Sequence, residues 1–584
     1  MQPPRLLVLA RELRRRRVVR VATVYLVSGL GVVYAADTIL PRLSAPDWTV
    51  AAVIVLVGLG FFLAVSLAWA FDLTPEGMVR TAPVEPAPAP AGGATHVPGG
   101  GGAPAPVLAS GPDAASPAAA AEPGLDRRAI AVLPFENMSE DRASDHFSDG
   151  ISEEIINALA QLPELRVAGR TSAFSFKGRH EDLRSIGRKL AVGTVLEGSV
   201  RQVGSRVRIT AQLIDTNDGY HLWSERYDRD LHDIFQVQDE IARAIAETLA
   251  VKLGARGSTL LVAPHPDDPE AYELFLTGRH YVSQLAEPGF TLAVEAYRGA
   301  IARAPDYALA WAGIAEAELI RGALLDEPYQ SAPSRARAAA LRALEVDDRV
   351  AEAHATLGGI LTYYDLDWDG AERAFQRALE LSPGSAWART WYSELLAFTG
   401  RADEAVAEAR RAQEIEPLAS LFRWNVIQDL WLAGRLDEVD EEARRTLQLF
   451  PDAYFVHYFL GLAAWCRGDE EGAIGGLRKT IDALGDLPLA SSYLAAVYHH
   501  FGRREEGDRV FEGIRRRAAE EHVSAGAFVL VHVARGDTGE AIRWLREGRT
   551  RKDGFFCQVK VMLRATPLEL DPRIAEELTR LGFR

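Results

Sequence analysis

The chain has 584 residues, 48% of them apolar and 25% charged, and its 81 acidic against 65 basic side chains leave a net charge of -16. That length predicts several domains, and that charge argues against a surface for polyanions, so no nucleic-acid partner is expected. The only cysteines, Cys466 and Cys557, lie without partnering His or Cys, which leaves no support for a disulfide framework or a zinc site. Basic residues are nearly all arginine and alanine is abundant, a composition that hints at GC-rich bacterial coding.

Residues 1–17 are a basic amino terminus, followed by an apolar segment over residues 18–40 with its uncharged core at Val21 to Ala36. A second segment, residues 48–71, carries no charge from Thr49 to Phe71, is long enough to cross a bilayer, and has Trp48 and Trp69 near its ends. Two transmembrane helices are therefore expected. For the first, a cleaved signal peptide is the rival, with RELRRRRVVR as its basic region and VYA as its cleavage site. Seven arginines precede the uncharged core of the first segment and only Arg42 lies between the two segments, so the positive-inside rule predicts a multi-pass inner-membrane protein with cytoplasmic soluble domains.

Residues 81–125 are rich in Pro, Ala and Gly and nearly uncharged, which cannot build a core and reads as a disordered tether. Residues 126–256 change character. IAVLPF, LRVAGR, VGTVLEGSV, VRITAQLIDTN and YHLWSERYDRDL read as strands. FSDGISEEIINALAQL, capped by Ser148 or Asp149, DLRSIGRKL and IFQVQDEIARAIAETLAVKL read as helices. In the fourth strand Val207, Ile209, Ala211 and Leu213 alternate with Arg208, Thr210 and Gln212, the pattern of an antiparallel strand with one wet face. This is an α+β domain.

From residue 270 to 548 the chain repeats itself. Gly400, Gly434, Gly468, Gly502 and Gly536 are spaced by 34, as are Ala405, Val439, Ala473, Gly507 and Ala541, and as are Pro383, Pro417 and Pro451. The glycine lets one helix end in a left-handed turn, the small residue lets the next approach closely, and the proline stops it before the following unit. The best single copy ends at Pro383 and holds Gly359, Tyr363, Ala371, Phe375 and Ala378. These periods resemble the tetratricopeptide repeat, a helix-turn-helix unit that stacks into a solenoid, in about eight copies. Residues 549–584 read as a polar cap that closes it.

In the α+β domain, AVLPFENMSED, FSDGISEEI, VLEGSVRQVGSRVRITAQLIDTNDGYHLWSERY and FQVQDEIA resemble the TolB-like amino-terminal domain. Such domains feed tetratricopeptide arrays in bacterial signalling proteins, often behind a class III nucleotide cyclase, a protein kinase or a winged-helix domain. No stretch of this chain is left over for such a catalytic domain. The expected fold class is thus an α+β TolB-like domain followed by an all-α tetratricopeptide solenoid, with two N-terminal transmembrane helices.

Catalytic chemistry finds little support. Gly193 to Ser199 has the glycine spacing of a P-loop but lacks the lysine and reads as a strand and turn, and no HExxH, GxSxG or kinase signature occurs. The pair His499-His500 reads as a surface or packing element, and the acidic run SEDRASDHFSD lacks the glycine-centred loop of a calcium site. The better candidate is the concave groove that the tetratricopeptide resemblance implies. Its helix A positions hold Tyr363, Trp387, Trp424, Gln428, Trp431, Phe455, Tyr458 and Trp465. Aromatic side chains dominate protein-binding hot spots, and packing within the solenoid is the competing role. The expectation is a non-enzymatic scaffold or sensor in signalling that binds a protein or peptide partner, without cofactor or metal, its oligomeric state open. The alternatives are a subunit of an envelope assembly with periplasmic repeats and an enzyme with an unrecognised site.

Overall fold

The computed structural model describes residues 71–74, 77–80, 125–139, 145–162, 165–179, 181–204 and 206–230, single positions between 237 and 248, and residues 266–584 without 267, 325, 326 and 486. The chain divides into two units, Met1–Ala115 and Ser116–Arg584.

The described part of the first unit is a hairpin. Strands β1 (Phe71–Thr74) and β2 (Gly77–Arg80) pair antiparallel, with Phe71 opposite Arg80 and Thr74 opposite Gly77. Phe71, the expected end of the second membrane span, instead opens a strand, because hydropathy counts apolar residues without regard to the Asp, Pro and Gly that follow. Among the described residues no helix is long and apolar enough to cross a membrane. That finding overturns the expected two N-terminal transmembrane helices and the multi-pass inner-membrane location that rested on them; residues 18–40 and 48–70 themselves lie outside the described residues, as does the tether at 81–124.

The second unit begins with the α+β domain. Its sheet runs β5 (Arg166–Val167), β3 (Ala129–Val132), β6 (Thr194–Val203), β7 (Arg206–Asp215), β8 (His221–Asp230), parallel among the first three and antiparallel among the last three. A short β4 (Glu136–Asn137) continues the line of β3 along β6. All four residues of β3 are buried, as a strand covered on both faces requires: Ile130 and Val132 share a core with Ile151 and Ile155 of helix Asp145–Ala160, while Ala129 and Ala131 share another with Ile186 and Leu190 of helix Leu183–Leu190. In β7 the alternation is as read from the sequence, Val207, Ile209, Ala211 and Leu213 buried and Arg208 exposed. The stretch Gly193 to Ser199 runs into β6. Ser148 and Asp149 do not cap their helix, which starts earlier at Asp145; the Asp149 carboxylate instead takes the Lys177 ammonium at 2.5 and 2.6 Å.

The repeats form eight helix pairs, each an A helix followed by a B helix. The A helices are Pro269–Val282, Ala308–Leu324, Ala351–Ile360 with a wide turn Leu361–Asp365, Ala386–Phe398, Ser420–Leu432, Phe455–Cys466, Pro488–His500 and Ala525–Arg535. All five period glycines have φ between +72° and +84°. At Gly434 the neighbouring amide of Arg435 donates back to Leu430 O at 2.9 Å and Gly434 N to Trp431 O at 2.9 Å, so the last carbonyls of the A helix are satisfied as the chain reverses. The small residues five positions on, Ala405, Val439, Ala473, Gly507 and Ala541, are all buried where helix B meets helix A.

The α+β domain docks on this array. Helix Asp145–Ala160 packs against helix Pro269–Val282, and buried Glu153 holds Arg170 at 2.8 Å and Arg279 at 2.5 Å. Farther along, Gly169 N donates to Ile415 O at 2.7 Å. The last segment turns inward. Gly554–Gln558 and helix Val559–Ala565 bury Phe556, Cys557, Val559, Met562 and Leu563, and helix Pro572–Arg580 buries Ile574 and Leu578 against helix Thr538–Arg551.

Candidate functional site: the A-helix face

A helices present apolar residues to their neighbours, yet three consecutive ones also carry a polar line. Tyr363 Oη donates to the Glu394 carboxylate. Glu394 also accepts from Gln428, whose carbonyl takes the Trp424 indole N–H at 3.3 Å. Beside it Ser393 Oγ lies 2.8 Å from Asn425 Oδ1. Burial pushes the Glu394 carboxyl up to about 7, with Tyr363 and Gln428 opposing the rise.

Asp429 stands one turn beyond Asn425 on the same helix stripe and is 1% exposed. Neither of its carboxylate oxygens meets a hydrogen-bond partner, and neither does Asn425 Nδ2. Ser393 is near enough to oppose the rise in its pKa, but the single hydroxyl proton is directed at Asn425 Oδ1 or at the Thr390 carbonyl, each 2.8 Å away. Burial first, and the neighbouring Glu394 second, hold the Asp429 carboxyl well above the ordinary aspartate range. A buried carboxyl without a partner costs stability unless it is protonated or meets a cation.

The aromatic residues sort into groups. Trp424 stacks on Tyr458 at 6.2 Å with 12° between planes and meets Phe455 at 5.2 Å. Trp431 and Trp465 both reach Tyr493, at 6.1 and 6.3 Å. Trp387 stands apart with Trp391 and Phe422. Trp465 is 0% and Trp431 3% exposed and Tyr458 is buried, while Tyr363, Trp387, Trp424, Gln428 and Phe455 are half-buried. Glu394, Ser393, Asn425 and Asp429 were missed in the sequence; their only signal is polar residues four apart, Asn425 and Asp429, on an A helix that also carries Ser420, Arg423 and Gln428.

The carboxy-terminal segment lies across this face. Gly554–Gln558 packs on Ala308–Leu324, Leu361–Asp365 and Ala525–Arg535, and helix Val559–Ala565 packs on Ala386–Phe398, Ser420–Leu432 and Ala525–Arg535. A seven-residue helix is about 10 Å long, so the A helices of the fourth, fifth and eighth pairs must converge around it. The A-helix face is therefore the inside of a curved array. Cys466 Sγ donates to Ala565 O at 3.1 Å, Lys552 Nζ reaches Asp365 at 2.7 Å, and Trp368 Nε1 donates to Gly582 O at 2.7 Å.

An array of helix pairs, each of the last five turned by a left-handed glycine, with an inward face of aromatic and polar side chains, has the helix-turn-helix architecture of a tetratricopeptide-type solenoid. The tetratricopeptide repeat family matches residues 366–422. Residues 126–244 match the second domain of HilA/YgeH-like transcriptional regulators. A protein of Rhizobium meliloti (strain 1021), provisionally named adenylate cyclase 3, is 49% identical over 155 residues, 26% of each chain. Photosystem I assembly protein Ycf3 of Rippkaea orientalis (strain PCC 8801 / RF-1) is 30% identical over 106 residues, 18% of this chain and 58% of that one. The chain thus spans about a quarter of the first relative's length. Among solved structures, YrrB, described as a TPR protein with an unusual peptide-binding site, is 21% identical over 34% of this chain and 96% of its own, with a TM-score of 0.25. MamA is 18% identical over 30% of this chain and 98% of its own, with a TM-score of 0.24.

Proposed function

We propose that this chain is a non-enzymatic scaffold in bacterial signalling that holds a protein or peptide partner on the A-helix face of its repeats. The observation that carries the reading is the line Tyr363–Glu394–Gln428–Trp424, continued by Phe455, which sets half-buried aromatic and hydrogen-bonding groups along successive A helices. Such groups bring large contact area at small entropy cost, with polar atoms to fix register. The signalling part of the reading is supported by the sequence resemblance of residues 126–256 to the TolB-like domain and by the relative named as a cyclase, whose activity belongs to that protein. The α+β domain, joined to the repeats through Glu153, Arg279 and Glu416, would report partner binding to whatever it contacts.

Affinity capture with the full chain from lysate of its source cell tests this. The Trp424→Ala, Phe455→Ala double variant should lose partners that the parent retains while keeping its melting temperature within a few degrees. Equal recovery of the same partners by both proteins would overturn the assignment of the face.

A further inference from the structure

We propose that Glu394 and Asp429 are the receiving site for a cationic side chain, the arginine or lysine of a partner segment, and that Gly554–Ala565 is a displaceable plug which fills the face until that partner arrives. This deepens the scaffold reading and rests on it. The first ground is the unmet chemistry of the site. Asp429 is buried with both oxygens unpartnered, Asn425 Nδ2 is likewise unpartnered, and Glu394 lies close enough for the two carboxyls to disfavour each other's charge. A guanidinium or ammonium between them would satisfy both.

The second ground is what the plug fails to supply. It lies on the helices that carry Glu394 and Asp429, and Cys557 is near enough to Glu394 to feel its charge. Yet it brings no cation to them. Lys560 Nζ donates to Phe583 O at 3.2 Å, Lys552 is taken by Asp365, and Arg564 is exposed. The segment covers the face with Phe556, Val559, Met562 and a thiol and leaves the carboxyls as they were. A partner that offers similar apolar cover together with one cation binds the same helices with a contact the plug lacks, and so competes with it.

Cys557 reports the plug directly, being buried in it. In the full chain carrying Cys466→Ser, the rate at which a thiol reagent modifies Cys557 is measured with acetyl-Gly-Ala-Arg-Ala-Gly-amide and with the same peptide bearing citrulline, which keeps shape and removes charge. The arginine peptide should raise the rate saturably by about five-fold or more, and citrulline should not, since modification follows exposure of the thiol. Asp429→Asn should abolish the response to the arginine peptide. Glu394→Gln gives the same reading should Asp429→Asn fold poorly. Acceleration by citrulline, persistence of the arginine response in both variants, or no acceleration at any soluble concentration would each overturn the proposal. Partner capture that depends on Trp424 while Cys557 stays protected would leave the scaffold reading standing and remove the plug. Capture that ignores Trp424 would remove the scaffold face itself.

Discussion

The carboxylate of Glu416 accepts a 2.7 Å hydrogen bond from the backbone N–H of Ser172, 244 residues earlier in the chain. The same carboxylate takes Thr171 N at 3.1 Å, and Leu418 N donates to Ser172 Oγ at 3.0 Å, so an inter-repeat loop of the solenoid closes the first turn of a short helix in the α+β domain. Gly169 completes the fit, because a Cβ there would stand 2.3 Å from the Glu416 carboxylate.

Glu416→Ala should therefore loosen the domain from the repeats rather than unfold either. It leaves the buried Ser172 N–H and the more open Thr171 N–H unpaired, a loss of about 1 to 3 kcal/mol at that interface. Hydrogen exchange should rise in residues 165–179 and 412–419 and stay unchanged in the last repeats. Uniform destabilisation of the whole chain would contradict the assignment of Glu416 as an interface clamp.

Gly434→Val should damage the array locally. Gly434 has φ +72° with nothing within 4 Å of the site a Cβ would take, so the cost is backbone strain alone, about 1 to 3 kcal/mol. A solenoid transmits such strain mainly to its neighbours. Exchange should accelerate in helices Ser420–Leu432 and Leu436–Leu449, and unchanged exchange there would count against the left-handed turn as the element that joins them.

The solenoid was legible because its punctuation is a backbone requirement: only glycine adopts that left-handed turn cheaply, so a 34-residue period survives wherever the turn does. The third pair shows the limit, since Leu366 at φ +57° turns the chain after a widened A helix and a search on glycine passes over it. β7 was legible from period-two alternation and β3 from a short apolar run, whereas β4 and helix Arg170–Phe174 are too short to leave a pattern. In the site, the resemblance to the tetratricopeptide repeat pointed to the aromatic residues of the A helices. The carboxyls Glu394 and Asp429 did not stand out, because a charged residue on a helix is ordinarily solvated and only the packing of neighbours reveals that these are covered. The fold-back of residues 554–565 is a long-range contact with no local signature. TPLELDPRIAEELTRLGFR reads as polar throughout, yet Ile574 and Leu578 are spaced four apart and buried together with Phe583.

Trp424 and Trp431, seven residues apart on one helix, should respond differently to truncation. Trp431 is 3% exposed and packs against Phe459 and Tyr493, so Trp431→Ala should cost about 3 to 5 kcal/mol and lower the unfolding midpoint sharply. Trp424 is half-buried, and Trp424→Ala should cost less stability and weaken partner binding by about 2 kcal/mol or more. Midpoint and capture measured on one preparation separate the two, and equal stability losses would remove the distinction between them.

The last prediction concerns pH. Burial raises Glu394 from the ordinary glutamate value of 4.5 to about 7. Between those values the folded chain keeps a proton that the unfolded chain has released, so this group's contribution is fully present below the unfolded pKa and is lost as pH rises through the folded one. At 1.36 kcal/mol per unit the loss is at most about 3 kcal/mol by pH 8, and less where water reaches the carboxyl. Glu154 and Glu316, also raised to about 7 by burial, act in the same direction. The half-buried His280 and His499 and the buried His532 act oppositely, since burial lowers each of them and their contribution is lost as pH falls. The whole protein's curve therefore mixes both signs, and the difference between parent and variant isolates one group. Glu394→Gln keeps the shape and hydrogen-bonding capacity of the protonated acid. It should match the parent at pH 5 and exceed it by about 1 to 3 kcal/mol at pH 8 in denaturant unfolding. A variant less stable than the parent at pH 8 would mean that Glu394 is ionised in the folded chain, with a cation beside it.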